Sequence, residues 1–209
     1  EAVTGKDMNW FWNEWYYGSG EPHLDISYKY ENGNQIVYVK QTQKGQIFTV
    51  PVFIDVYNTP SQKTRYKVWL KTASDSFYFP AAQKPSWVNV DAEKVLLAVK
   101  NDHKTMEEYE MQYRNGGNYL DRREALEFFA AKNSSNLVLG LNDKYEGLRL
   151  LTLQLLQTTK LAEVPSTLSI IEQIAEKDPD KKTQAKALEI LADTKSSQYQ
   201  KWYEKFLND

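Results

Sequence analysis

The sequence predicts a multidomain chain in which an antiparallel β-sandwich is followed by an all-α helical array and preceded by a short helix. Apolar residues recur with a helical period over residues 8–17, with a period of two from residue 24 to about residue 99, and helically again from about residue 103 onward. A length of 209 residues is sufficient for two domains, each with its own core. The predicted boundaries are residues 1–22, 23–99 and 100–209.

The first element is a short amphipathic helix from about Lys6 to Tyr17. Its large apolar residues follow the i, i+3, i+4, i+7 spacing that places side chains on one face: Met8, Phe11, Trp12 and Trp15. Asp7 suits the first turn of this helix, and Gly18 suits its end. The Gly-Ser-Gly-Glu-Pro run at residues 18–22 cannot continue a helix, since its proline lacks an amide donor.

Short strands are predicted after Pro22. The first alternates apolar and polar residues, with Leu24, Ile26, Tyr28 and Tyr30 on one parity, and Asn32-Gly33 then predicts a hairpin turn. A later strand places five apolar residues on one parity: Phe48, Val50, Val52, Ile54 and Val56. Pro51 interrupts the other parity and indicates an edge or a bulge. The segments "TRYKVWLK", "SFYF", "WVNVD" and "KVLLAV" complete an antiparallel sandwich over residues 23–99.

The last part is predicted to be helical to its end. Its blocks are "TMEEYEMQYR", "DRREALEFFAA", "DKYEGLRLLTLQLL", "PSTLSIIEQIAEK", "DKKTQAKALEILA" and "SSQYQKWYEKFL", and the second has Ala125, Leu126 and Phe129 on its inner face. Residues suited to a first helical turn open four of the blocks: Asp121, Asp143, Pro165 and Asp180. The interval from Asp143 to Asp180 is close to the period of paired-helix HEAT-type repeats, about 40 residues. A HEAT-like array is therefore predicted, with an irregular helical bundle as the alternative.

Composition excludes several function classes. The formal net charge of -2 and the absence of a basic cluster give no reason to expect nucleic acid binding. The chain has no cysteine, so it has no disulfide, thiol nucleophile or thiolate metal site. No apolar run approaches the roughly 18 residues that a membrane span needs. The compartment stays open between the bacterial periplasm or envelope and the cytoplasm.

No catalytic constellation is apparent. The two histidines, His23 and His103, lie far apart and in different predicted domains, so they cannot form a His-Glu-x-x-His zinc site. The Gly-x-Ser-x-Gly and phosphate-loop patterns are absent. Glu107, Glu108 and Glu110 are neighbouring acids on a helix and are expected to form a solvated face. We therefore assign no catalytic, cofactor-binding or metal-binding residue to this chain.

The aromatic block "MNWFWNEWYYGSGEP" at residues 8–22 has three interpretations. It could be a stacking platform for sugars, a helix at a membrane surface, or a packing surface. A membrane-surface helix would carry several cations, whereas Lys6 is the only cation near this one. Large aromatic side chains bury about 150 to 250 Å² each, so packing is the favoured interpretation.

One segment also resembles a known family. Residues 4–28, "TGKDMNWFWNEWYYGSGEPHLDISY", are similar to the end of the catalytic domain in zinc aminopeptidases of the aminopeptidase N family, the gluzincins. In that family a Gly-x-Asp-aromatic helix with a central Trp, followed by Gly-x-Pro and a strand, leads into a β-sandwich. The matching positions here are Gly5, Asp7, Trp10, Phe11, Trp15, Gly18, Gly20, Pro22 and Leu24. Asn13-Glu14 replaces the Asp-Gln that often precedes the Trp.

The resemblance implies that the opening helix is a remnant of a catalytic domain outside this chain. The zinc ligands, the Glu general base and the Gly-Ala-Met-Glu-Asn substrate motif of that family lie upstream of this junction and have no counterpart here. Zinc is therefore expected in the missing catalytic domain of a parent protein that removes N-terminal residues from peptides. The sandwich would act as a spacer and the helical array would cover the active site.

We therefore predict a non-catalytic C-terminal portion of a zinc metallo-aminopeptidase. Its partners would be the catalytic and N-terminal domains of the parent, and the parent's substrates would be peptides. The chain begins without Met, which agrees with an excised or processed piece. The alternative is an independent carbohydrate- or protein-binding module that uses the aromatic helix or a groove of the helical array.

Overall fold

A computed structural model of the chain describes Gly5 and residues 7–193. The chain forms two compact units that divide between Asn118 and Tyr119. The predicted domain boundaries at residues 22 and 99 remain predictions.

The first unit contains two β-sheets. Its strands are β1 (His23–Glu31), β2 (Asn34–Gln41), β3 (Val50–Tyr57), β4 (Lys63–Leu70), β5 (Ser74–Pro80), β6 (Trp87–Val90) and β7 (Val99–Asp102). One sheet has the order β5-β2-β1-β7 and the other has the order β4-β3-β6. The Asn32-Gly33 turn joins β1 to β2, with Glu31 opposite Asn34, so the predicted hairpin is confirmed.

The predicted antiparallel sandwich is wrong in one strand pairing. β7 runs parallel to β1, with His23 opposite Val99 and Ile26 opposite Asp102, so the four-stranded sheet is mixed. The other described strand pairs are antiparallel. Parallel neighbours need a long connection, and here all the intervening strands supply it. Of the predicted strand "KVLLAV", only its last valine belongs to β7, which continues to Asp102.

One hydrophobic core lies between the two sheets. The five residues predicted to share the inner parity around β3 are all buried: Phe48, Val50, Val52, Ile54 and Val56. They belong to one cluster with residues of the other sheet, including Leu24, Ile26, Val37 and Val39. Pro51 is exposed, and β6 pairs only with residues 54–57 of β3. β3 therefore has a free side near Pro51, as the edge prediction requires.

The predicted α-helix from Lys6 to Tyr17 is wrong over most of its length, and Lys6 itself lies outside the described residues. An α-helical turn, α1, covers Asn9–Phe11, and a π-helix continues over Trp12–Tyr16. The Tyr17 amide donates to the Trp12 carbonyl oxygen at 2.9 Å, five residues back. This wider turn changes the direction of the side chains that follow it. Residues 9–16, which we call the opening helix, therefore do not form the regular α-helix that the sequence predicts.

Helix α2 (Met106–Asn115) belongs to the first unit and contacts β6. It begins with a capping box: the Thr105 side chain accepts a hydrogen bond from the Glu108 amide, and the Glu108 carboxylate accepts one from the Thr105 amide. It ends at Asn115, just before Gly116. These local signals locate the helix, whereas only tertiary contacts assign it to the sandwich.

The second unit is helical. It contains α3 (Tyr119–Ala131), α4 (Glu146–Leu156), α5 (Pro165–Lys177) and α6 (Lys181–Asp193), with 3-10 helices at Ser135–Asn142 and Lys160–Glu163. Ala125, Leu126 and Phe129 are fully buried, which confirms the predicted inner face of α3. Pro165 is the first residue of α5, also as predicted.

The predicted HEAT-like array is wrong for the described residues. The two 3-10 helices interrupt the regular succession of helix pairs that such an array requires. The longer one is part of the core, since Leu137 and Leu141 are buried. Sequence periodicity does not identify it, because a Gly-containing run of eight residues resembles a turn. The helix predicted over residues 196–207 lies outside the described residues.

Two partly buried ion pairs connect the helices of the second unit. The Arg122 guanidinium donates to the Asp143 carboxylate at 2.9 Å, and the Arg149 guanidinium donates to the Asp178 carboxylate at 2.6 and 2.8 Å. Asp180 accepts a hydrogen bond from a first-turn amide of α6 at 2.8 Å. Asp143, just before α4, thus forms an ion pair with α3, and Asp178, just before α6, forms one with α4.

Candidate interaction surface

A chain of edge-to-face aromatic rings covers one side of the opening helix and continues onto β4. We call it the aromatic ladder; its rings, in order of contact, are Trp69, Trp10, Phe11, Trp12, Tyr16 and Tyr17. Successive ring centroids are 5.1 to 5.9 Å apart, and successive ring planes meet at 80 to 88°. All these side chains except Trp10 are between 37 and 76 % exposed. The ladder is therefore a continuous aromatic surface open to solvent.

The opposite side of the opening helix is attached to the sandwich. The Trp15 ring packs against the buried Phe48 ring, with 5.0 Å between their centroids. The Glu14 carboxylate accepts hydrogen bonds from the Thr49 amide at 2.6 Å and from the Thr49 hydroxyl at 2.9 Å. At the helix exit, a Cβ on Gly18 would lie 2.5 Å from the Glu14 carbonyl oxygen. These contacts hold the helix in one orientation and leave the ladder facing outward.

The structure separates the residues that sequence periodicity places together. Trp15 joins the core, whereas Phe11 and Trp12 lie in the exposed ladder. The π-helical turn between them explains the difference. The sequence analysis does not include Trp69 in the aromatic surface. Trp69 lies on a strand about sixty positions after Trp10, and nothing in the sequence indicates that the two rings touch.

Two of the three tryptophans of the opening helix, Trp12 and Trp15, differ enough in their contacts to test this orientation. We expect Trp15→Ala to lower the free energy of unfolding by about 2 kcal/mol, because it removes a half-buried ring from the core. The matched change Trp12→Ala is expected to stay within about 0.5 kcal/mol, since that ring is exposed. Urea unfolding followed by far-UV circular dichroism measures both. Equal losses would contradict the orientation of the helix.

Charge is sparse on the opening helix. Among residues 7–17 only Asp7 and Glu14 are charged, and Glu14 is turned inward to Thr49. No cation lies within this range, so the opening helix lacks the cationic face of a membrane-surface helix. None of the helices in the described part of the chain is long and apolar enough to cross a bilayer.

A groove of about 620 Å³ lies beside the helix exit. Its lining includes Glu21 and His23, the loop residues Gln43 and Lys44, and the core residue Phe48. The Gln43 carboxamide is committed to the loop: its oxygen accepts from the His23 amide at 3.0 Å, and its nitrogen donates to the Gln46 carbonyl oxygen at 2.9 Å. The groove therefore has a mixed polar and apolar lining, in which the Gln43 side chain is held by hydrogen bonds.

Both histidines lie in the first unit. His23 is on β1, and His103 follows β7, its parallel neighbour. The His103 Nε2 atom lies 2.9 Å from the Asp25 carboxylate. The same carboxylate accepts a hydrogen bond from the side-chain Nδ2 atom of Asn101 at 2.7 Å. These hydrogen bonds, that from His103 first, hold the pKa of Asp25 below its usual value. Sequence spacing misses this cluster because the parallel pairing of β1 with β7 creates it.

The described residues contain no group of three or more His, Asp or Glu side chains that could hold a metal ion. Of the acidic run on α2, Glu108 completes the capping box and Glu110 accepts a hydrogen bond from Arg114 at 2.9 Å. Glu107 is exposed. Glu107 fits the solvated face expected of the run, whereas Glu108 and Glu110 have structural contacts.

No protein-family model matches the sequence, and no curated protein is significantly similar to it. Among solved structures, the chain is similar to the crystal structure of Legionella pneumophila aminopeptidase A in complex with aspartic acid, with a TM-score of 0.54 and 15 % sequence identity. The similarity covers 98 % of this chain and 25 % of that chain. At this identity the likeness concerns the fold alone, and the chain spans about a quarter of the length of that protein.

Proposed function

We propose that this chain is the non-catalytic C-terminal portion of a zinc-dependent aminopeptidase of the aminopeptidase N family. The observation that carries the proposal is the fold similarity, which covers nearly the whole chain but only a quarter of the aminopeptidase A chain. The family-like segment at residues 4–28 supports it independently. In this proposal the catalytic and N-terminal domains belong to the same parent protein, which acts on peptides with a free N-terminus.

The described residues of this chain do not fit a zinc site. Catalytic zinc is held by about three protein ligands that converge on one point, and the described residues offer no such group. The proposed zinc ion therefore belongs to the missing catalytic domain, and no step of the reaction is assigned to residues of this chain. This chain would separate the domains of the parent and cover the parent's active site.

The test compares the isolated chain with the protein encoded by its complete reading frame. We expect the purified 209-residue chain to leave aminoacyl chromogenic substrates intact in the presence of zinc. The complete protein should hydrolyse them and should lose this activity to a chelator. Turnover by the isolated chain, or a complete reading frame without His-Glu-x-x-His, would overturn the proposal.

A second candidate function is an independent binding module for a carbohydrate or a protein. The exposed aromatic ladder favours it, because contiguous apolar surfaces of this kind mark interaction sites. Titration with soluble oligosaccharides, followed by tryptophan fluorescence, tests the carbohydrate version. A saturable change that is lost in Trp12→Ala would support it.

A further inference from the structure

We propose that the outer edge of β4 binds an extended acidic segment of another protein, which adds to the sheet as an antiparallel strand. We call the surface formed by Arg65, Lys67 and Trp69 the β4 edge. It belongs to the first unit, so this role goes beyond the proposed function and does not depend on it. The partner is a peptide strand rather than a nucleic acid, a membrane or a second copy of the chain.

β4 has an unpaired side. It lies at the end of its sheet, and β3 is its only neighbour among the described strands. The Phe53 carbonyl oxygen on β3 accepts a hydrogen bond from the Ala92 amide at 2.9 Å, on the side of β6. Phe53 is opposite Lys67, so these two residues do not exchange backbone hydrogen bonds. Because backbone direction alternates along a strand, the amide and carbonyl groups of Arg65, Lys67 and Trp69 point away from β3.

The β4 edge lacks most features that prevent edge strands from pairing. Such strands are commonly very short, or are interrupted by a bulge or a proline. β4 has eight residues, pairs with β3 along its whole length, and contains neither proline nor glycine. Its cations discourage pairing with a strand of like charge, whereas they favour pairing with an acidic strand.

The two cations of the β4 edge differ in how far they are neutralised. The Arg65 guanidinium donates to the buried Asp55 carboxylate at 2.7 and 2.9 Å and to the Glu93 carboxylate at 2.9 Å. Lys67 forms no ion pair within the described residues, and its Nζ atom lies 5.7 Å from the centroid of the Phe53 ring. This ring supports the ammonium group, and the side chain stays exposed. Lys67 is therefore the cation that an incoming carboxylate would neutralise.

Two more lysines flank the β4 edge. Lys63 donates to the Asp55 carboxylate at 2.6 Å. Lys71 is exposed beyond the end of β4, and its backbone amide donates to the Asp75 carboxylate at 2.9 Å. Cations therefore outnumber the carboxylates that contact these residues, and the excess of positive charge favours an acidic partner.

The two faces of β4 specify an alternating sequence in the partner. Tyr66 and Val68 are half-buried and pack against the core of the sandwich. Residues directly opposite each other in an antiparallel pair lie on the same face. Apolar residues of the incoming strand would therefore extend the core beside Tyr66 and Val68. On the outer face, acidic residues would lie opposite Arg65 and Lys67, and an apolar residue would lie opposite the exposed Trp69 ring.

Other occupants fit this edge less well. The β4 strand of a second copy would place lysine and arginine opposite one another, which is destabilising. The phosphate groups of a nucleic acid or a lipid accept hydrogen bonds but donate none to the carbonyl groups of the edge. An extended peptide supplies both donors and acceptors, as in other complexes formed by strand addition.

Fluorescence anisotropy of a labelled peptide tests the proposal. The probe is Leu-Val-Glu-Val-Glu-Val-Thr with fluorescein at its amino end. Its leucine is designed to lie opposite Trp69, and its glutamates opposite Lys67 and Arg65. We expect saturable binding to the 209-residue chain and also to the complete protein.

A charge reversal on β4 should weaken this binding. We expect Lys67→Glu to lower the affinity by about tenfold, because an attraction to the peptide becomes a repulsion. Lys132→Glu is the matched control and should leave the affinity unchanged. Lys132 is also exposed, and its Nζ atom also lies 5.7 Å from a ring centroid, that of Phe128, but it follows helix α3 rather than lying on a strand.

Changes in the peptide separate strand addition from simple charge attraction. N-methylation of both glutamates removes the amides that face β4 and should weaken binding at least about tenfold. N-methylation of the central valine should weaken it less than about threefold, because that amide faces solvent. Replacement of both glutamates by lysine should abolish binding. The protein is the same in all these measurements, so a folding defect cannot explain the differences.

Amide hydrogen exchange followed by NMR locates the bound peptide. Without peptide, the amides of Arg65, Lys67 and Trp69 should exchange faster than those of Tyr66 and Val68, which face β3. Saturating peptide should slow the exchange of the first three amides at least about tenfold. Slowed exchange only at amides outside the β4 edge would place the peptide elsewhere and reject the proposal.

The remaining outcomes also reject strand addition by an acidic partner. They include no saturable change up to about 1 mM peptide, equal affinities of wild type and Lys67→Glu, and binding that survives N-methylation of both glutamates. Tighter binding of single-stranded DNA than of the peptide would identify a nucleic acid as the occupant. Protection of the edge amides that grows with protein concentration would identify a second copy. Peptide binding by the 209-residue chain but not by the complete protein would show that the parent covers the edge.

Discussion

Gly140→Ala is expected to destabilise the second unit by about 3 kcal/mol, the upper part of the range for overpacking a core. Gly140 lies in the 3-10 helix Ser135–Asn142, against α3 and α4. A Cβ added there would lie 2.0 Å from the Thr152 hydroxyl oxygen and 2.7 Å from a Leu126 methyl carbon. Both neighbours are fully buried, and the Thr152 hydroxyl donates to the Leu148 carbonyl oxygen at 2.7 Å. Neither side chain can move away without breaking a contact.

Urea unfolding followed by far-UV circular dichroism measures this loss. Gly117→Ala is the control, because a Cβ on Gly117 meets no atom within 4 Å; it should stay within about 0.5 kcal/mol of the parent. If Gly140→Ala does not fold, the double variant Gly140→Ala/Thr152→Ala removes the closest atom. It should be more stable than the single Gly140 variant, since the two sites share one space. A loss below about 1 kcal/mol for Gly140→Ala would contradict the close approach.

The buried positions of the strands follow from the sequence because a period of two assigns alternate residues to one face. Ile54 and Val56 are buried for that reason. The direction of β7 does not follow, because an alternating pattern is the same whichever way a strand runs. The parallel pairing depends on the path of the chain between the sheets.

The geometry of the opening helix depends on contacts that are distant in sequence. The density of tryptophan and tyrosine at residues 10–17 indicates an aromatic surface, and the structure contains one. Which rings face outward is decided by Glu14 on Thr49 and Trp15 on Phe48, and a helical period contains no information about these partners. Periodicity therefore predicts an apolar helix face, whereas tertiary contacts determine which rings are buried and which are exposed.

Asp55→Asn is expected to lower the free energy of unfolding of the first unit by about 2 to 3 kcal/mol. Asp55 on β3 is 1 % exposed, and its carboxylate accepts hydrogen bonds from Lys63 at 2.6 Å and from Arg65 at 2.7 and 2.9 Å. Removing one partner of a buried ion pair leaves the other charges poorly compensated. Lys63 and Arg65 are partly exposed and regain some hydration, which reduces the loss.

Exposed ion pairs provide the control for this change. Glu31 contacts Lys29 at 2.8 Å, and both side chains are about half exposed. Glu31→Gln is expected to cost less than about 0.5 kcal/mol, because solvent screens the pair. Urea unfolding at pH 7 measures both variants. Equal losses would show that burial does not strengthen the Asp55 cluster.

The difference between wild type and Asp55→Asn should also depend on pH. Burial raises the pKa of Asp55, but hydrogen bonds from Arg65 and Lys63 outweigh burial and hold the pKa below its usual value. Because the pKa is lower in the folded than in the unfolded chain, the stabilisation is complete above about pH 4, the ordinary value for aspartate. It is lost as the pH falls through the folded-state pKa. Other carboxylates titrate in both proteins, so the difference in unfolding free energy isolates Asp55; a difference that persists in acid would contradict this assignment.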